Sequence, residues 1–209
     1  MLDGSARSQF ELQQDLSQVD PWHYTTNELE MQRHRREVAM LDCVRGSNRF
    51  GRVLELGCAE GTFTEFLANR CDSLLATDFN EVALTRARQR RQWDEHVNFA
   101  LLDLRSDPLP NVFDLILAIH VLDYIHSPIP LRRIREKLIA GLRPGGYLFI
   151  GCVSHDSANE TAWWSRYLLR GGEQITAFFA EHRELRVVDS AIYPLAKCTS
   201  RDILFWKGH

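Results

Sequence analysis

RVLELGCAEGTF, the stretch from Arg52 to Phe63, decides the fold: Val53, Leu54 and Leu56 make a short apolar strand, and Gly57 and Gly61 bracket the loop that leaves it. A strand that ends in a glycine loop and then enters a helix opens a βαβ unit. Downstream the alternation continues. The pattern predicts a helix from Thr62 to Asn69, a strand from Ser73 to Thr77, an arginine-rich helix from Glu81 to Trp93 and a strand from Val97 to Leu102. Phe113 to Ile119, FDLILAI, is a near-continuous apolar run and reads as a strand buried on both faces. A helix from Ile129 to Leu142 is expected to stop at the turn Arg143-Pro144-Gly145-Gly146, before a strand from Tyr147 to Cys152. The last third reads as a helical region from Ala162 to His182, interrupted at Gly171-Gly172, then strands near Leu185 to Ile192 and Asp202 to Trp206 that form an antiparallel edge. Upstream, a polar segment with a helix from Asn27 to Cys43 adds no strand and suits a lid. The expected architecture is α/β, a seven-stranded, mostly parallel sheet with helices on both faces, in one domain over residues 1–209: an N-terminal helical cap (1–50) on a core (51–209).

Composition narrows the function. At 209 residues, 44% hydrophobic and 25% charged, the chain suits one folded domain with a sizeable core. Its net charge of -3 argues against a nucleic-acid partner, which calls for clustered Lys and Arg, and leaves a small molecule as the expected substrate. Five scattered cysteines (Cys43, Cys58, Cys71, Cys152, Cys198) without a Cys-x-x-Cys pair suggest buried free thiols rather than disulfides or zinc. With no long apolar run and no secretory signal, a cytoplasmic location without membrane contact is the expectation. Oligomeric state leaves no trace in the pattern.

Ligands of an open parallel sheet bind beyond the carboxyl ends of the strands where strand order reverses, so the loops after the first, second and fourth strands carry the chemistry. Gly57, Cys58, Ala59 and Gly61 form the first loop, where glycine lets the backbone come close to a ligand. Asp78, with Phe79 beside it, ends the second strand about twenty residues later, where an acid can accept hydrogen bonds from both ribose hydroxyls of a nucleoside. A dinucleotide needs Gly-x-Gly-x-x-Gly so that the backbone can meet pyrophosphate; here Cys58, Ala59 and Glu60 separate the glycines, and Glu60 would repel phosphate. A nucleoside without phosphate fits better, and S-adenosyl-L-methionine is adenosine carrying methionine through a cationic sulfonium. After the fourth strand, Ile119, His120, Asp123 and Tyr124 should line the passage from sulfonium to acceptor. His120 is the candidate base because imidazole titrates near neutrality, with Asp123 and Tyr124 as groups that orient the acceptor. His155 is a weaker candidate.

These residues resemble the class I S-adenosyl-L-methionine-dependent methyltransferases, which have a Rossmann-like fold. ELGCAEGTF looks like the glycine motif of that family, Asp78 like its ribose acid, and Leu102-Asp103-Leu104 like the segment that meets adenine. FDLI from Phe113 and RPGG from Arg143 match its later motifs in order and spacing, so the resemblance covers Arg52 to Cys152. More narrowly, Asp20-Pro21-Trp22, Gln32-Arg33-His34 and Gly57-Cys58-Ala59 are similar to the rhizobial nodulation-factor N-methyltransferases, which act on an amino sugar. The resemblance implies that Glu55 reaches the methionine ammonium and that S-adenosyl-L-homocysteine is the product. Ala59 stands where the family commonly has glycine.

Three further readings complete the site. Trp22 and Tyr24 could close an aromatic face over the sulfonium, or simply anchor the arm. Arg33 lies in the run Arg33-His34-Arg35-Arg36, which reads as a solvated face, yet its planar guanidinium suits the methionine carboxylate. His120, His126, Asp123 and His155 lack metal-ligand spacing, so no metal is expected, and no Gly-x-Ser-x-Gly elbow occurs. Trp163, Trp164, Phe178 and Phe179 read as core or interface. The expected activity is N- or O-methylation of a small acceptor, an amino sugar or another natural product. The competing readings are an RNA methyltransferase, a non-catalytic protein that keeps the cofactor, and an NAD-dependent oxidoreductase.

Overall fold

The structure, a computed structural model, describes residues 18–20, 23, 26–125, 128–154, 171–194 and 199–208. Trp22, Tyr24, His126, His155, Trp163, Trp164 and Cys198 lie outside the described residues. One sheet holds seven strands, β1 (Phe50–Leu56), β2 (Cys71–Asp78), β3 (Val97–Leu101), β4 (Phe113–Ile119), β5 (Leu142–Ser154), β6 (Leu185–Pro194) and β7 (Thr199–Lys207), in the order β3-β2-β1-β4-β5-β7-β6. β1 to β5 run parallel, and β7 lies antiparallel between β5 and β6. The expected Rossmann-like sheet and its antiparallel edge are both present.

Strand order turns back between β1 and β4, and the period-2 alternation of these strands feeds a core on each face. Leu54, Ile116, Leu148 and Ile150 meet helices α4 (Pro128–Ala140) and α5 (Gly171–Ala180) through Leu131, Ile134, Ile175 and Phe179. Val53, Leu115, Leu117 and Phe149 meet α1 (Glu28–Arg45) and α2 (Thr64–Ala68) through Val38, Leu41 and Leu67. Helix α3 (Glu81–Gln89) adds Leu84, packed with Cys58 and Ala76. Among the described residues no helix is long and apolar enough to cross a membrane.

Several boundaries depart from expectation for identifiable reasons. Asn27 is the N-cap of α1, its Oδ1 accepting the Leu29 N–H at 3.0 Å, and the helix runs on to Arg45 before Gly46 at φ 61°. Helix α2 has only five residues because Thr62 and Phe63 still belong to the glycine turn. Helix α3 stops at Gln89, not Trp93: the Trp93 indole folds back and donates to the Ala87 carbonyl at 2.8 Å, satisfying an end of the helix. Arg143-Pro144-Gly145-Gly146 does not end a helix. α4 ends at Ala140, and the four residues form an irregularity inside β5, which pairs Leu142 with Phe113 and then Tyr147 with Leu115. Phe179 is core, whereas Phe178 lies under the Arg135 guanidinium at 4.1 Å. Cys58, Cys71 and Cys152 are buried free thiols, but Cys43 is exposed.

Candidate cofactor and active site

Each expected site acid or loop sits where a parallel strand ends. Glu55 is the penultimate residue of β1, Asp78 the last of β2 and Ile119 the last of β4. They open onto one cleft with about 1170 Å³ free of protein atoms, its mouth included. Arg33, Glu55, Gly57, Cys58, Ala59, Asp78, Phe79, Asp103, Leu104, Ile119, His120 and Tyr124 all line it. Of the other expected site residues, Asp123 stands behind His120, and Gly61 faces Ala87 and Trp93 rather than the cleft. Glu60 also turns away: it accepts the Asp20 N–H at 3.1 Å and pairs with Arg86 at 3.0 Å, so it pins residues 18–20 to the core and does not repel a ligand. Glycine spacing alone therefore disfavours pyrophosphate in this loop.

The glycine loop is built from left-handed turns, with Gly57 at φ 68°, Ala59 at 46° and Gly61 at 78°. Its fixed points are the Cys58 N–H on the Thr77 carbonyl and the Ala59 N–H on Asp78 Oδ2, both 2.9 Å. Ala59 thus carries a methyl in a conformation that suits glycine, a strain on the order of 1 kcal/mol. A methyl on Gly57 would come within 2.4 Å of Val121 Cγ2, on the segment that carries His120. Val121 is stiff at χ1, so Gly57→Ala should combine the left-handed penalty with overpacking and lower stability by about 3 kcal/mol. Urea unfolding checks this; an unchanged midpoint would contradict the packing.

Asp78 is buried, and its Oδ1 accepts the Asn80 N–H at 2.9 Å. Burial raises its pKa, against three backbone N–H bonds that lower it. Glu55 is also buried, accepts the Thr64 hydroxyl at 2.6 Å and is pushed up to about 8 by loss of solvent. For Asp103 burial acts upward, but the Arg105 guanidinium, bonded at 3.0 and 2.8 Å, together with the Arg105 backbone N–H and the charges of Arg105 and Lys137, holds the acid below the usual carboxylate range.

The charged run on α1 is not a uniform solvated face. Arg33, His34 and Glu37 are buried while Arg35 and Arg36 are exposed, because successive helical residues point about 100° apart. Arg33 bonds Glu30 at 2.9 Å, Glu37, and His34 Nε2 at 3.0 Å. Burial, then the Arg33 charge, push His34 down to about 3, so its ring is neutral. His34, Thr62, Phe63 and Arg105 line the cleft unanticipated. The stripe His34, Val38, Leu41, at i, i+4 and i+7, was the readable sign that this face of α1 is buried.

His120 adopts a left-handed φ of 53°, with its N–H on the Gly151 carbonyl at 2.7 Å. Such strain is common at functional sites. The ring lies between Asp123 Oδ2, 3.2 Å from Nδ1, and Ser200 Oγ, 3.3 Å from Nε2. Asp123 is fixed in turn by the Val153 N–H at 3.0 Å. Among the described residues no group of three or more His, Cys, Asp or Glu could hold a metal ion.

Comparison with known proteins gives this geometry a family. The model for nodulation protein S (NodS) matches residues 5–203. Nodulation protein S of Sinorhizobium fredii (strain NBRC 101917 / NGR234) is 32% identical over 170 residues, 81% of this chain and 75% of that protein. The Rhizobium tropici protein of the same name is 32% identical over 170 residues, 81% of this chain and 68% of its own. The crystal structure of the N-methyltransferase NodS from Bradyrhizobium japonicum WM9, in complex with S-adenosyl-L-homocysteine, superposes with a TM-score of 0.81 at 26% identity, over 99% of this chain and all of the other. The chain belongs to the NodS family and is an S-adenosyl-L-methionine-dependent methyltransferase.

Proposed function

We propose that the protein methylates the amine of an amino sugar, with His120 as the group that takes the amine's proton. The observation that carries this reading is a single cleft wall on which the acids for a nucleoside and an amino acid, Asp78 and Glu55, meet His120. The donor set fits S-adenosyl-L-methionine: Asp78 for the ribose diol, Glu55 for the ammonium, Phe79, Leu102 and Leu104 around the adenine with Asp103 at its edge. Arg33 serves the carboxylate, which would share the guanidinium with Glu30 and Glu37. When bound, the donor supplies an electrophilic methyl whose positive charge passes to the acceptor on transfer.

The protein's part is alignment and proton control. An amine arrives largely as ammonium near neutrality and must lose a proton before its lone pair can attack. Asp123, held by the β5 backbone, steadies the His120 ring and the positive charge it acquires. Tyr124, on the cleft wall, helps orient the acceptor, and the family relationship favours nitrogen over oxygen. The described part of the N-terminal segment, chiefly α1, serves as a cap on the catalytic core.

The test is incubation with methyl-labelled donor and glucosamine oligomers, one set with a free amine and one fully N-acetylated. Label should enter only the free-amine set, in N-methyl groups. Equal labelling of the acetylated set would overturn the amine assignment.

A further inference from the structure

Both ring nitrogens of His120 are occupied by the protein, at 3.2 Å by Asp123 and at 3.3 Å by Ser200, so an incoming acceptor finds no open lone pair. One of the two contacts has to yield. The Asp123 carboxylate is itself held by the Val153 N–H, whereas the Ser200 hydroxyl has a second partner, Asp202 Oδ1, at 3.1 Å. A hydroxyl carries one hydrogen and can donate to only one of these two acceptors at a time. Rotation about its own C–O bond exchanges them.

We propose that Ser200 and Asp202 are positioning residues for the proton transfer: the Ser200 hydroxyl caps the His120 Nε2 lone pair until an acceptor N–H replaces it, and then turns onto the Asp202 carboxyl. The inference rests on His120 being the proton acceptor. In the step itself an N–H bond of the acceptor ammonium breaks and its electron pair stays on nitrogen. The proton joins the Nε2 lone pair, and the imidazolium so formed faces Asp123.

The fold builds this arrangement from three elements. Ser200 and Asp202 are fully buried on one face of β7, two residues apart, opposite Val153 and Gly151 of β5. Those are the two β5 residues that hold the His120 segment, through the Gly151 carbonyl and the Val153 N–H. Glycine at 151 leaves the Asp202 carboxyl its place, since a Cβ there would lie 2.8 Å from Asp202 Oδ1 and push it aside. Glu37 of α1 is fully buried within electrostatic reach of Asp202, and among the described residues Glu37 Oε2 and Asp202 Oδ2 have no hydrogen-bond partner. Burial, reinforced by Glu37, pushes Asp202 well above the ordinary range toward its neutral form, in which it accepts on one oxygen as an amide does. A neutral Asp202 leaves the His120 proton affinity to Asp123 and to the cap.

The charged and titratable groups around His120 and Asp202 are Asp123 beside the ring, Arg33, His34 and Glu37 from α1, Cys152 from β5 and Tyr193 from β6. Ser200→Ala changes none of them, and Asp202→Ala and Asp202→Asn remove the same titratable carboxyl beside Glu37, so the difference between those two reports the cap. A hydrogen bond donated to the neutral imidazole lowers its pKa. Ser200→Ala removes it and should move the His120 ring titration upward. Asp202→Ala leaves the hydroxyl with Nε2 as its remaining partner, so the pKa should fall and the KM for free-amine glucosamine oligomers should rise severalfold. Asp202→Asn, whose amide oxygen accepts the same hydroxyl, should restore most of what Asp202→Ala loses.

The pKa is read by NMR titration of the His120 ring in full-length protein saturated with S-adenosyl-L-homocysteine, and the acid limb of kcat/KM should move with it. Opposite shifts in the two alanine variants support the cap; equal shifts, or none, overturn it, since a merely structural role gives no opposed signs. If Asp202→Ala does not fold, Ser200→Ala against Asp202→Asn decides: the pKa must rise in the first and stay near wild type in the second. His120→Gln separates the two readings. Full turnover in that variant removes the base assignment and the inference with it, while lost turnover without the opposed shifts removes the inference alone.

Discussion

Asp78→Ala should weaken binding of S-adenosyl-L-homocysteine by about a hundredfold or more, read by isothermal titration calorimetry. Two effects combine. A carboxylate that accepts from both ribose hydroxyls contributes two charge-assisted hydrogen bonds, each on the order of 1.5 to 3 kcal/mol. The same side chain anchors the loop, because Asp78 Oδ2 receives the Ala59 N–H at 2.9 Å and Oδ1 the Asn80 N–H at 2.9 Å. Ala59 is held at a left-handed φ of 46° and loses its tether when the acid goes. Asp78→Asn retains one accepting oxygen where the carboxylate offers two to the backbone donors, so it should fall between wild type and alanine. Wild-type affinity in the alanine variant would remove the ribose assignment.

The part of the site legible in the sequence is the part made by local chain order. Glu55, the glycine loop and Asp78 end consecutive strands, and parallel topology brings such ends together whatever the surrounding side chains are. Even here one inference failed on geometry: Glu60 belongs to the loop, but its side chain reaches Arg86 and Asp20 rather than the cleft. Arg143-Pro144-Gly145-Gly146 misled for a related reason. Proline and glycine mark a break in local structure, but whether the chain then leaves the sheet or bulges within it depends on the pairing of Leu142 with Phe113, made by residues far apart in sequence.

What was illegible is the polar wall behind His120. Ser200 and Asp202 lie some eighty residues from His120 with no motif between them, and only the β5–β7 register places them against its ring. His34 and Glu37 were hidden inside a run of charge that reads as solvent-facing, although the helix turns two of every few such residues inward. Burial of so many polar groups is costly unless they bond one another, and here they form chains: Arg33 with Glu30, Glu37 and His34, and Asp123 with His120, Ser200 and Asp202. Such chains are specified by tertiary packing, so pairwise spacing along the sequence does not reveal them.

Glu55 gives the second large effect, a pH dependence of stability. Loss of solvent pushes its folded pKa up to about 8, the Thr64 hydroxyl bond opposes this and Asp78 reinforces it, while the unfolded chain has the ordinary 4.5. Between those values the folded protein holds a proton that the unfolded chain releases. Stability from this group is therefore full below pH 4.5 and is lost as pH rises toward 8, by up to about 5 kcal/mol. His34 acts with the opposite sign: lowered to about 3, it favours the folded state increasingly as pH rises from 3 to 6.5. The two are separated by difference. Glu55→Gln keeps an oxygen for the Thr64 hydroxyl and cannot titrate, so wild-type minus variant stability, from urea unfolding across pH 5 to 8, should fall steadily with pH. A flat difference would mean that Glu55 is ionised in the free protein. Cofactor binding reads the same proton from the other side, because an ammonium placed against Glu55 favours its ionised form. At pH 7 the wild type should release close to one proton on binding S-adenosyl-L-homocysteine, seen by calorimetry in buffers of different ionisation heat, and Glu55→Gln should release none from this site while binding more weakly.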